Sequence, residues 1–343
     1  MSLGDNVKVV CLRQISKYII IMNTSQSIRL LIQVILFVLF AVDISAGEKE
    51  RLFQIGLFPP ISTNGIGSGK IINTISFNLI GGYNAGNRTF ELGGGWNFSR
   101  TYTGGLQISG LLNYSGNSDN SVQISGLGNI ATSGKSPLQI GGLFNVADRV
   151  NGVQLSGLVN VAKKVKGAQI GLINYMEDGG DGVSIGLINV AKHGGKYEFE
   201  VSFSEAMNTM FSFRIGTDRF YTIFSGGINY FFSPFEYAIG LGFGTSIDWR
   251  KNWSNQIEIQ ALVISREKEI TNNSTNNIIQ MRFPFCKELG KHFKLFAGPT
   301  LNIGLQGNEI AESTRLSQWA MWSSQWNSLD ISGWIGFSAG LRF

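Results

Sequence analysis

The chain has 343 residues, a formal net charge of +5, 15% charged residues, 44 Gly, 6 Pro and 2 Cys. This length allows one large or two ordinary domains, and many glycines with few charges suggest an all-β chain. The charge excess is too small, and too free of basic runs with interleaved aromatics, to point to nucleic acid.

Near the start, Leu30 to Val42 is apolar, Arg29 precedes it and Asp43-Ile-Ser-Ala46 comes after it. A basic flank, an apolar run and a small residue before a polar stretch describe a secretory signal peptide over 1–46, with Met22 an alternative start. A membrane anchor is the competing reading. Cleavage after Ala46 would remove four basic residues (Lys8, Arg13, Lys17, Arg29) and two acidic ones (Asp5, Asp43), taking the net charge from +5 to +3. The mature chain would keep only Cys286, so a fold held by its own ladder is expected rather than disulfide staples.

Residues 47–104 open with alternating strands; Ile71 to Tyr83 and Thr89 to Phe98 look like degenerate copies of the repeats found after Gly105, closing on Asn84 and Asn97. Residues 105–195 are openly repetitive: LQISGLLNYS from Leu106, VQISGLGNIA from Val122, LQIGGLFNVA from Leu138, VQLSGLVNVA from Val153, AQIGLINYM from Ala168 and VSIGLINVA from Val183. Their Asn positions are Asn113, Asn129, Asn145, Asn160, Asn174 and Asn189. Each unit has room for one tilted membrane-spanning strand of about ten residues and a turn. Period-2 alternation gives an apolar face (Val153, Leu155, Val159, Val161) opposite a polar one (Gln154, Ser156, Asn160).

This predicts an antiparallel transmembrane β-barrel of about 16 strands, with Gln107, Asn113, Gln123, Asn129, Gln139, Asn145, Gln154 and Asn160 facing its lumen. Short turns between the units support hairpins rather than the crossovers of a parallel sheet. On that reading Val159→Arg is costly and Asn160→Arg tolerated; a solenoid reverses the two. Two features resist the barrel. Leu111, Leu127, Leu143 and Leu158 fall on the polar face, and the units from Ala168 and Val183 are one residue short. A β-bulge or a solenoid corner could absorb the missing residue. The alternative fold is therefore a repeat β-solenoid joined to a smaller C-terminal β-barrel of about eight strands.

After Gly195 the strands become longer and more aromatic. Glu198, Glu200 and Glu205 read as lining a lumen or rim. Residues Gln306 to Asp330 form a polar loop with Trp319, Trp322 and Trp326, either an ordinary rim or a binding segment. The final strand alternates Ile331, Gly333, Ile335, Phe337, Ala339, Leu341, Phe343 against Ser332, Trp334, Gly336, Ser338, Gly340, Arg342. It resembles the last strand of Gram-negative outer-membrane barrels, in which Phe337, Leu341 and Phe343 would belong to the signal read by the barrel-assembly machinery.

The units VQLSGLVNVA, AQIGLINY and VSIGLINVA resemble the GLQIGLIN-type surface-repeat proteins of Gram-negative bacteria. The resemblance covers roughly 105–195 and implies outer-membrane or surface placement, with no activity and no catalytic residues to carry over. No catalytic, cofactor or metal site is expected. His193 and His292 lie far apart in turns, and NGIGSGKI (64–71) and GNIATSGKS (128–136) are poor phosphate loops, read as hairpin turns. The expected partners are outer-membrane lipids and the assembly machinery, with any extracellular ligand unknown. Function then divides between a passive pore or structural surface protein, with no catalysis, and a surface binding or adhesion module with a Trp-rich contact loop.

Overall fold

The computed structural model describes residues 48–179, 182–230, 235–266, 276–290, 293–307, 320–327 and 329–343. The expected signal segment, His292 and Trp319 lie outside the described residues.

The chain is all-β, yet the repeats do not form hairpins. Each repeat makes two short strands rather than one: Leu106–Ser109 and Leu112–Ser115 are separated only by the corner Gly110-Leu111. The first strand pairs in parallel with the first strand of the next repeat (Leu106↔Val122, Gln107↔Gln123), and the second with the second (Leu112↔Gly128, Asn113↔Asn129). The same register continues through Asn145↔Asn160, Asn160↔Asn174 and Asn174↔Asn189. The result is a parallel β-solenoid of about 8 turns.

The 16-stranded antiparallel barrel is therefore wrong, for a definite reason. A parallel pair needs a crossover, and within each repeat the other strand of the coil is that crossover. The segments Lys49–Phe58, Ile71–Asn78, Gly81–Gly93 and Trp96–Thr103 continue the stack. Residues 48–104 are thus earlier coils of the same solenoid. At its first end NGIGSGKI is no hairpin turn: Gly65–Lys70 is a 3-10 helix.

The corner explains the repeated Gly. A Cβ on Gly110 would lie 2.1 Å from the Gly94 carbonyl oxygen, one on Gly126 2.1 Å from that of Gly110, and one on Gly142 2.0 Å from that of Gly126. Successive coils come too close there for any side chain. The corner also explains the misplaced leucines. Leu127 N–H donates to the Leu111 carbonyl (2.9 Å) and Leu143 N–H to that of Leu127 (2.8 Å), so these residues stack on the outer edge. In the short repeats the deleted residue is the inward corner serine. Ala168–Ile170 turns at Gly171-Leu172 into Ile173–Asp178, and Asn174 still points inward.

From Lys196 the pattern changes to antiparallel. The strands Lys196–Ser204, Thr209–Gly216, Tyr221–Asn229, Glu236–Arg250 and Trp253–Arg266 pair in chain order. Trp253–Arg266 then pairs with Asn276–Arg282 and Phe285–Glu288, which occupy one place in the sheet and both pair with Lys294–Gly307. Leu329–Arg342 joins Lys294–Gly307 and returns to Lys196–Ser204, with Glu200 opposite Arg342. The sheet closes on itself at eight strand positions. The last strand therefore meets Lys196–Ser204 and not a strand at the start of the chain, as a single barrel of all the strands would require.

Closure leaves one seam. Leu329–Arg342 pairs at its start with the short strand Trp322–Trp326 and at its end with Lys196–Ser204. Glu205 fills the gap between them. Its carboxylate accepts from the Phe337 N–H (2.8 Å), Asn302 Nδ2 (2.7 Å), Thr300 Oγ1 (3.1 Å) and Trp334 Nε1 (3.2 Å). It is a structural closure rather than a free rim acid.

Candidate functional site

The residues expected to line a watery lumen line the interior of the solenoid, where they are buried. They form two amide ladders. In one, Gln123 Nε2 donates to Gln107 Oε1 (2.8 Å), Gln139 to Gln123 (2.7 Å), Gln154 to Gln139 (2.7 Å) and Gln169 to Gln154 (2.8 Å). In the other, Asn97 Nδ2 donates to Asn113 Oδ1 (3.0 Å), Asn113 to Asn129 (2.9 Å), Asn129 to Asn145 (2.8 Å), Asn145 to Asn160 (3.0 Å), Asn160 to Asn174 (2.9 Å) and Asn174 to Asn189 (2.9 Å). The second amide proton of each of these Asn residues goes to a backbone carbonyl near the next corner, such as Asn160 to Ile170 O at 2.8 Å. A buried amide is tolerated when its polar atoms are partnered, and repeating one residue type at one position does that from coil to coil; at the first rung the Asn97 Oδ1 has no partner.

The ladders run in opposite directions, and each ends on a different partner. The Gln ladder donates toward the N-terminus and ends on Glu91, whose Oε2 accepts from Gln107 Nε2 (2.8 Å) and Ser99 Oγ (2.9 Å). Glu91 Oε1 accepts from Asn84 Nδ2 (2.7 Å). Burial dominates this carboxyl and raises its pKa above the ordinary value, against the opposing hydrogen bonds from Gln107, Ser99 and Asn84. The Asn ladder donates toward the C-terminus and ends on Thr222 of the closed sheet. Asn189 Nδ2 donates to Thr222 Oγ1 (3.3 Å), which donates on to Gly186 O (2.9 Å). The last coil thus seats on the mouth of the closed sheet, tied also by Tyr197 Oη to Ala191 O (2.8 Å).

The closed sheet has a charged centre that sequence reading missed. Glu200 meets Arg214 (2.6 Å), Arg282 (2.9 Å) and Arg342 (2.7 Å). Glu258 meets Arg214 (2.9 Å), Arg342 (3.3 Å) and Arg282 (3.5 Å), and accepts from Tyr221 Oη (3.0 Å). All six side chains are buried. Two carboxylates are clamped by three guanidiniums, and the side chains fill the interior as expected for a cylinder of this strand number. The passive-pore expectation fails on the same packing. Further along the interior, Met207, Met210, Leu262, Ile278 and Trp334 form an apolar plug. The available signal was phase: Arg342 shares the polar face of the last strand with Ser338.

Outward, the closed sheet is apolar. Phe199 is 55% exposed, Ile239 71% and Ile335 61%, and Phe337, Leu341 and Phe343 belong to the same surface. Phe343 stacks beside Phe199 (centroids 6.5 Å apart) and lies tilted against Phe293 (6.4 Å). The expected polar loop is partly a strand: Trp322–Trp326 pairs with Leu329–Arg342, leaving Trp322 and Trp326 exposed at the end of the sheet far from the solenoid. On the solenoid, Leu111, Leu127, Leu143, Leu158 and Leu172 form an exposed apolar edge. The opposite edge carries charges such as Asp148, which pairs with Lys163 (2.9 Å) and Arg149 (3.3 Å). His193 is exposed at the end of Ile188–His193, and Cys286 is a buried free thiol. Among the described residues no His, Cys, Asp and Glu group could hold a metal ion.

No family model matches this chain, and neither a curated protein nor a solved structure matches it.

Proposed function

We propose that the protein is a binding or adhesion module anchored in the outer membrane of a Gram-negative bacterium. The closed sheet is the anchor and the solenoid is a rigid contact element. One observation carries this reading: the closed sheet is inverted, with arginines and glutamates inside and Phe, Ile and Leu outside. In water such a surface is a large unpartnered apolar patch. In a bilayer it is the expected wall, because the strands satisfy one another's backbone groups and lipid covers the apolar side chains.

Aromatics near both ends of the sheet suit the two interfaces, with Tyr197, Phe293 and Phe343 at the solenoid end and Tyr230 and Phe235 at the other. The partners on this reading are outer-membrane lipids and the assembly machinery that would read Phe343. The resemblance of the repeats to the GLQIGLIN-type surface proteins agrees with that placement. Contact with a ligand falls to the exposed apolar side chains of the solenoid and to the Trp hairpin, since the interiors of both parts are filled.

The test is extraction of the expressed protein. Recovery in the outer-membrane fraction, resistance to alkaline carbonate and release by detergent support the anchor. A protein that stays soluble and monodisperse without detergent refutes it.

A further inference from the structure

The position of the solenoid on the closed sheet fixes which side of the membrane it occupies, provided that the sheet is the membrane anchor proposed above. We infer that the solenoid projects into the periplasm and the Trp322–Trp326 hairpin faces the cell exterior.

An even number of strand positions brings the first and last strands to the same mouth. Phe199 N–H donates to Phe343 O (2.8 Å) and Phe343 N–H to Phe199 O (2.9 Å). The last coil of the solenoid seats on that mouth through Asn189, Thr222, Ala191 and Tyr197. The solenoid, the start of the closed sheet and its terminal Phe343 are therefore on one side.

The connections tell the two mouths apart. At the solenoid mouth they have four residues (217–220), two (251–252) and five (289–293). At the far mouth they have four (205–208), six (230–235), nine (267–275) and twenty-one (308–328), the last including the Trp hairpin. Outer-membrane barrels place short turns in the periplasm and longer loops outside. The short-turn mouth is the one that bears the solenoid. The physical reason agrees: the strands insert from the periplasm, so only the far connections must cross the bilayer, whereas a folded solenoid with buried amide ladders would have to unfold to cross with them.

Two variants, each adding one cysteine at an exposed position, test this in intact cells, with a bulky membrane-impermeant maleimide as the probe. Lys163→Cys sits on the charged edge of the solenoid, and Ser324→Cys sits in the Trp hairpin. Buried Cys286 provides the unlabelled background. Ser324→Cys should label in intact cells. Lys163→Cys should label at least about tenfold more after the outer membrane is permeabilised. Labelling of Lys163→Cys in intact cells, or failure of Ser324→Cys to label there, overturns the orientation. Fractionation of the same cells separates this from failure of the anchor: a soluble protein refutes the anchor, and a membrane-bound one with reversed labelling refutes the orientation alone.

Discussion

Replacing Asn160 by Ala removes an interior rung of the Asn ladder, and the structure says what is left unpaired. Asn160 Nδ2 donates to Asn174 Oδ1 (2.9 Å) and to Ile170 O (2.8 Å), and its Oδ1 accepts from Asn145 Nδ2 (3.0 Å). Alanine strands two acceptors and one amide proton in an interior that neighbouring coils close off. A buried polar group without a partner costs about 1–3 kcal/mol. Partial relaxation and entry of a water molecule would reduce the sum, so a loss of roughly 3–5 kcal/mol is expected.

Lys163→Ala is the control: its ion pair with Asp148 is exposed, and such pairs contribute about 0–1 kcal/mol. Hydrogen exchange monitored by mass spectrometry on the detergent-solubilised protein would report opening of the coils between Gln139 and Asn189 without requiring the closed sheet to unfold. Protection in those peptides should fall by more than a hundredfold for Asn160→Ala and stay near wild type for Lys163→Ala. Equal protection in both variants would mean that the ladder does not hold the coils together. By the same reasoning Asn160→Arg is damaging and the outward Val159→Arg far milder, the reverse of the barrel expectation.

Three individual sites give further expected outcomes. The raised pKa of Glu91 means that its proton stabilises the fold, fully below the ordinary carboxylate value and progressively less as pH rises through the raised one. The N-terminal coils should therefore gain exchange protection as pH falls from neutral toward about 4.5, and Glu91→Gln should flatten that dependence; an unchanged slope in the variant would remove Glu91 as its source. Gly126→Ala puts a methyl 2.1 Å from the Gly110 carbonyl oxygen and should cost about 1–3 kcal/mol, read as a local loss of protection in adjacent coils; wild-type behaviour would mean that the corner can open freely. Arg282→Met takes one cation from the Glu200–Glu258 cluster, leaving two guanidiniums against two carboxylates, and should cost about 1–3 kcal/mol for the carboxylate oxygen left short of a donor, seen as a lower temperature for the heat-induced gel-mobility shift; no change would show that Arg214 and Arg342 suffice alone.

How far the fold is legible in the sequence depends on what each pattern can distinguish. The period, the inward Gln and Asn and the outward Val and Leu are plain from the repeats themselves. They do not separate a barrel strand from a solenoid coil, because both put polar residues inside and apolar residues outside at period 2. The discriminating residues were the ones that broke the alternation. Leu111, Leu127, Leu143 and Leu158 sit on the supposedly polar face because a corner precedes them, and the serine missing from the units at Ala168 and Val183 is a corner residue. The glycine beside each leucine marks a corner where an added Cβ would come within about 2 Å of the preceding coil's carbonyl oxygen, which no single repeat can reveal. The charged centre was harder to see, since Glu200, Arg214, Glu258, Arg282 and Arg342 come from five separate strands and meet only when the sheet closes.

The central claim is that successive repeats stack in parallel, and one pair of cross-links tests it directly. Leu106 and Val122 face outward and are register partners in the solenoid. Adjacent strands lie about 4.8 Å apart, within reach of a disulfide. In an antiparallel hairpin of the same repeats, Leu106 would instead lie opposite Ile130 on the same face, about 26 Å from Val122 at roughly 3.3 Å per residue. The double variant Leu106→Cys/Val122→Cys should oxidise readily to an intramolecular disulfide in the folded protein, and Leu106→Cys/Ile130→Cys should not. Efficient cross-linking of the second pair with none in the first would contradict the solenoid.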